Sequence, residues 1–110
     1  MFDHVHAWHL YVIVLDTDKL RISRDEFIRL LAQENIGTGI HFTAAHRHTF
    51  YKKIFGAQAR SLKNADFVSD RILSLPLYPG MTEEDVTDVI VAVQKIVKQN
   101  TKLKRVGAIA

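Results

Sequence analysis

Cysteine is missing from all 110 residues, which excludes disulfides, zinc–thiolate sites and thiol chemistry. Long apolar runs are missing too. The longest, residues 10–15, falls far short of the roughly 20 apolar residues a membrane-spanning helix needs, so no membrane insertion is expected. Asp3, His4, His6 and His9 interrupt any hydrophobic region near the start, unlike a secretory leader, and a cytoplasmic location is the expectation. No internal repeat or low-complexity stretch is present. The formal charge of +3 comes from fifteen Lys plus Arg against twelve Asp plus Glu, with one concentration at Lys98, Lys102, Lys104 and Arg105. No aromatic residues interleave with that cluster. It reads as a flexible, solvated basic tail over residues 100–110, and no nucleic-acid partner is expected.

What is present suits one small domain over residues 1–110, with 47% hydrophobic and 25% charged residues. A chain of this size removes only about two-thirds of its unfolded surface from water, so a sizeable ligand cleft needs a partner to complete it. Residues 7–16 (AWHLYVIVLD) are aromatic and β-branched and predict a first strand. Ser23 followed by Glu26 has capping-box spacing, Phe27, Ile28, Leu30, Leu31 and Ile36 form one face, and Gly37 supplies a left-handed stop. A second strand is predicted over residues 38–42. One or two helical turns follow at Thr49–Phe55, ended by Gly56.

Asn64 predicts a cap for a short helix over residues 65–73, and residues 73–77 predict a third strand. Pro76 cannot donate to a ladder, so that strand belongs at an edge or is very short. Pro79 and Gly80 make a turn, Thr82 caps, and Glu83, Glu84 and Asp85 set negative charge on the positive end of a last helix. In that helix Val86, Val89, Ile90, Val93, Ile96 and Val97 form one apolar stripe for a core. The order β, α, β, α, α, β, α implies an α+β fold with helices on one face of a small sheet.

Several well-separated stretches carry a family resemblance: AWHLY at residues 7–11, IGTGIHF at 36–42, Ala45-His46, Phe50-Tyr51, Asn64-Ala65, Ser69 to Leu73, and LPLYPGMT at 75–82. Together they resemble the terminal domain of the DegT/DnrJ/EryC1/StrS aminotransferases, which act on nucleotide-linked keto sugars. AWHLY, SRD, GTGIHF and AAH most resemble the branch that makes UDP-4-amino-4-deoxy-L-arabinose for lipid A modification. The resemblance implies the small, largely antiparallel C-terminal domain of a fold type I enzyme. It also implies pyridoxal phosphate as cofactor, with a Schiff-base lysine and an electron-sink ring. The stretch that carries this lysine in relatives, and the aspartate facing the pyridine nitrogen, do not occur here. The expectation is therefore a C-terminal fragment without catalytic or cofactor-binding residues of its own. In the full-length enzyme it takes a UDP-sugar and glutamate, works with the missing large domain and forms a homodimer. A non-catalytic nucleotide-sugar module and a purely structural module are the alternatives.

In relatives the strand end and loop matching residues 40–50 (IHFTAAHRHTF) approach the active-site mouth, which makes His41, Phe42 and His46 the substrate-side candidates. Imidazole can donate to or accept from sugar hydroxyls, and its protonated form can meet a diphosphate. A structural role for each histidine stands beside that reading. Arg47 and His48 are expected to be solvated in preference to binding phosphate. His41, His46 and His48 match no metal motif, lack a carboxylate between Thr38 and Phe50, and give no metal expectation. His4 and His6 share a face of an extended chain. Trp8 and Tyr11 are expected to pack against the last helix or the large domain, and Asp66, Asp70 and Arg71 to form local helix ion pairs.

Overall fold

Antiparallel pairing of two short strands organises the chain, whose computed structural model describes residues 3–56, 58 and 62–102. The element order is β1 (Tyr11–Val14), α1 (Arg24–Gln33), a 3-10 turn (Ala45–Arg47), α2 (Thr49–Phe55), α3 (Lys63–Ser69), β2 (Ile72–Leu75) and α4 (Glu83–Asn100). This is the α+β architecture that the order of patterns implies. Tyr11 lies opposite Leu75 and Val14 opposite Ile72. Side chains alternate along a strand, so Tyr11, Ile13, Leu73 and Leu75 share one face, and Val12, Val14, Ile72 and Ser74 the other. The first face meets α1 and α4 in a core of Leu15, Leu20, Phe27, Leu31, Leu73, Ala92 and Ile96.

The strands are shorter than their composition suggests. Tyr11 already pairs with Leu75, so a longer β1 would face Pro76, which has no N–H to give. Residues 7–10 leave the ladder instead: Trp8 has φ 50°, and its N–H donates to His6 Nδ1 at 2.8 Å. The strand expected over residues 38–42 shrinks to one bridge, in which Gly39 and Ser74 exchange backbone hydrogen bonds of 3.1 and 2.8 Å. Beyond Gly39 the His41 ring folds back so closely that a Cβ at position 39 would meet its Cε1 at 2.5 Å. The glycine admits the ring, and the chain leaves the sheet edge there.

The helix starts expected at Ser23 and Thr82 both form, in different ways. At α1, Ser23 Oγ accepts the Glu26 N–H at 3.2 Å, but the Glu26 carboxylate turns to Arg29 and the box stays half made. At α4 the box is reciprocal, with Thr82 Oγ1 accepting the Asp85 N–H and Asp85 Oδ2 accepting the Thr82 N–H. The stop of α1 comes before Gly37, through Asn35 at φ 62°, a conformation that asparagine tolerates. Asn64 is not a cap. The cap position of α3 is Leu62, without a side-chain bond, and the helix ends at Ser69 because Ile72 and Leu73 are taken into β2.

The last helix does not bury its whole stripe. Ala92 and Ile96 enter the core, whereas Val86, Ile90 and Val97 stay exposed, because a two-stranded sheet is too narrow to cover them. Of the tail expected over residues 100–110, the first three residues are held to the fold: Asn100 O accepts the Arg21 N–H, the Lys102 N–H donates to Lys19 O, and Leu20 bridges Thr101. Residues 103–110 lie outside the described residues. No helix among the described residues is long and apolar enough to cross a membrane.

Phe27 is fully buried, so Phe27→Ala is expected to lower unfolding free energy by about 3–5 kcal/mol in urea titration. Val91→Ala, on the exposed side of α4, should change it by less than about 0.5 kcal/mol.

Candidate substrate-facing site

Two buried serines decide where the segment after Gly39 runs. Ser74, inside β2, and Ser69, the last residue of α3, are both almost inaccessible to water, and a buried hydroxyl left unpaired costs about 1–3 kcal/mol. His41 Nδ1 lies 2.9 Å from Ser74 Oγ. Ser69 Oγ accepts the Ala44 N–H at 3.0 Å. The stretch is thus tied at Gly39, His41 and Ala44 to one continuous piece of the fold. The other side of that piece is held by Arg24, whose Nη1 donates to Ser69 O at 3.1 Å and Ile72 O at 3.3 Å, joining α1 to the α3–β2 connection.

The 3-10 turn is then clamped to α3 by charge. His46 Nε2 and Arg47 Nε both reach Asp66 Oδ1, at 2.8 and 2.7 Å. Arg47 spends its two terminal nitrogens on Asp70, with Nη2 to Oδ2 at 3.0 Å and Nη1 to Oδ1 closer still. Planar fork-to-carboxylate pairing of this kind holds geometry better than an ammonium can. Asp66 is held below the ordinary carboxylate range, first by its hydrogen bond from His46 and then by Arg47. Asp70 is lowered chiefly by the Arg47 hydrogen bond, and Arg47 is raised in return by Asp70 and Asp66.

His41 and Phe42 come together, ring edge to ring face, with centroids 5.0 Å apart. Phe42 is 72% exposed. His46 is held separately on α3, its side chain only 11% exposed. Arg47, expected to be solvated, is instead the hub of the clamp, and His48 is exposed at the start of α2. Asp66 and Asp70, expected to pair within their helix, reach back to residues 46 and 47. Arg71 stacks over Phe67 at 4.0 Å and approaches Asp18 at 3.7 Å. No group of three or more His, Asp or Glu side chains among the described residues could hold a metal ion. Sequence spacing gave no signal for Asp66, Ser69 or Ser74, since every partner lies about 20 to 33 residues away.

A second feature is an apolar groove of about 600 Å³ between the start of β1 and α4, lined by Trp8, Tyr11, Leu75, Val86, Val89 and Ile90 among others. Trp8 and Tyr11 do face the last helix, yet Trp8 remains 67% exposed. α2 likewise turns Phe50, Tyr51, Ile54 and Phe55 to solvent, with Tyr51 and Phe55 stacked at 6.0 Å. In general, large contiguous apolar patches on a protein surface are places where other protein or ligand docks.

A model of the DegT/DnrJ/EryC1/StrS aminotransferase family matches residues 2–94. Among curated proteins, the uncharacterized protein MJ1066 of Methanocaldococcus jannaschii is 50% identical over 95 residues, which is 86% of this chain. The spore coat polysaccharide biosynthesis protein SpsC of Bacillus subtilis is 50% identical over 97 residues, 87% of this chain. The chain spans 25% of the length of each of these relatives.

Because their folded-state affinities for protons are depressed, Asp66 and Asp70 stabilise the fold at and above the ordinary carboxylate range, and that stability is lost as pH falls through their lower folded values. The double substitution Asp66→Asn, Asp70→Asn is expected to lower stability at neutral pH, with the gap to the parent chain closing below about pH 4 in urea titrations across pH.

Proposed function

The chain belongs to the DegT/DnrJ/EryC1/StrS aminotransferase family, and from that premise we propose that it is the C-terminal part of a pyridoxal-phosphate-dependent sugar-nucleotide aminotransferase. The proposed reaction moves an amino group from glutamate to a UDP-linked 4-keto sugar. AWHLY, SRD, GTGIHF and AAH favour the branch that makes UDP-4-amino-4-deoxy-L-arabinose for lipid A modification, in the cytoplasm. The role of SpsC in spore coat polysaccharide biosynthesis supports sugar chemistry in general.

The observation that carries the substrate side is the anchored segment 39–47, which holds His41 against β2 and His46 against α3 while leaving the Phe42 ring exposed. Fixed imidazoles can exchange hydrogen bonds with sugar hydroxyls, and an exposed ring offers a flat apolar contact to a base or sugar. The groove beside Trp8 and the apolar side of α2 are the faces for the large domain and for a second subunit in the proposed dimer.

Pyridoxal phosphate, where bound, supplies an electron sink for amino transfer. A Schiff-base lysine needs a desolvated pocket that favours the free amine. The described lysines Lys19, Lys52, Lys53, Lys63, Lys95, Lys98 and Lys102 are all exposed, Lys19 and Lys95 being paired with Asp16 and Glu34 at 2.7 Å, and Lys104 lies outside the described residues. The described residues do not fit the cofactor. The proposal places it on the large domain.

Pyridoxal phosphate followed by borohydride should therefore label no lysine stoichiometrically, as read by peptide mass. Full labelling of one lysine would give this chain a cofactor site of its own and overturn the proposal. Titration of the labelled chain with a UDP-sugar should move nuclear magnetic resonances of His41, Phe42 and His46 saturably. A saturating shift confined to other residues, or none at millimolar nucleotide, would remove these three from the substrate side.

A further inference from the structure

Asp66 Oδ1 accepts from two neighbours at once, His46 Nε2 at 2.8 Å and Arg47 Nε at 2.7 Å. The hydrogen on the histidine side follows from the chemistry of the other two groups. Arginine has donors only, and an ionised carboxylate accepts only. Asp66 is kept ionised by its hydrogen bonds from His46 and Arg47. The proton between Asp66 and His46 therefore sits on Nε2, and neutral His46 keeps its lone pair on Nδ1.

We propose that Asp66 is a positioning residue which holds His46 as the Nε2–H tautomer, so that His46 serves the sugar nucleotide as a hydrogen-bond acceptor at Nδ1. This rests on the substrate-side reading above and narrows it: the neutral ring offers an acceptor at Nδ1, and the group on the substrate that matches an acceptor is a hydroxyl donor. Arg47 does not take the phosphate in its place, since both ends of its guanidinium are already bound to Asp66 and Asp70. The arrangement has little freedom to turn. His46 is largely enclosed, and the backbone two residues earlier is pinned by the Ala44 N–H to the buried Ser69 hydroxyl. A carboxylate that selects an imidazole tautomer and orients its ring is a general device for setting which nitrogen does the work.

The test is the tautomer itself, read by long-range proton–nitrogen correlation spectra of the chain labelled with 15N-histidine, at alkaline pH where the imidazoles are neutral. Exposed His48 serves as an internal reference for a free ring, which samples both tautomers. His46 should show a pyrrole-like Nε2 and a fully pyridine-like Nδ1, departing from His48. In Asp66→Ala the two His46 nitrogen shifts should move toward each other and approach the His48 pattern. Asp70→Ala, which frees one end of Arg47 but leaves the His46 contact, should retain the parent pattern. A His46 spectrum that matches His48 in the parent chain, or shows the proton on Nδ1, overturns the proposal even if Asp66→Ala does not fold. An unchanged His46 spectrum in folded Asp66→Ala overturns it as well. No ligand enters the measurement, so its failure leaves the sugar-nucleotide reading standing, and a failed nucleotide titration leaves the tautomer assignment standing.

Discussion

The need to satisfy two hydroxyls inside the fold governs much of what surrounds them. Ser69 and Ser74 sit at either side of the α3–β2 connection, where Ile72 and Leu73 are buried by pairing with β1. Apolar side chains there would give a simpler core but would remove the ties that the segment after Gly39 makes at His41 and Ala44. The serines accept that segment through His41 and the Ala44 amide, and the Gly39 bridge brings it to the sheet edge. At the bridge the returning imidazole occupies the space of a side chain, so a Cβ at residue 39 would force the His41 ring to shift. The GTGIH stretch is therefore a packing solution, in which the ring that fills the space beside Gly39 also meets Ser74.

Charge completes what the serines begin. The 3-10 turn has no side-chain cap of its own, and α2 beyond it buries none of its residues. Alone, elements this short are marginal in water. Arg47 compensates by reaching Asp66 on α3 and Asp70 just beyond its end, so the turn takes its place from α3. Exposed ion pairs contribute little individually, but a shared, bidentate cluster fixes direction as well as distance. Through Asp66 the same cluster also fixes the direction of the His46 ring.

Elements whose signals are local were legible in the sequence. The capping pattern at Thr82 and the acidic first turn of α4 formed as read, because a cap is made by residues three positions apart. β1 and β2 were legible as to type but not as to length, since the proline that stops one strand also ends its partner across the ladder. The end of α3 was misread because Ile72 and Leu73 satisfy a helical period equally well, and burial against β1 outweighs that local preference. Asn64 has a capping side chain in the wrong register for the helix that actually forms.

The sequence by itself determined the α+β class, the family, the last helix with its cap, and the stretch in which the candidate site lies. These rest on composition, period and short-range hydrogen bonding, which a linear chain carries on its face. Only the tertiary structure decided that Asp66 and Asp70 belong to His46 and Arg47 and not to their own helix. It likewise decided that His41 answers Ser74, and that part of the α4 stripe remains uncovered. Pairing across tens of residues depends on where the sheet register and the buried hydroxyls bring side chains together, and no spacing along the chain encodes that distance.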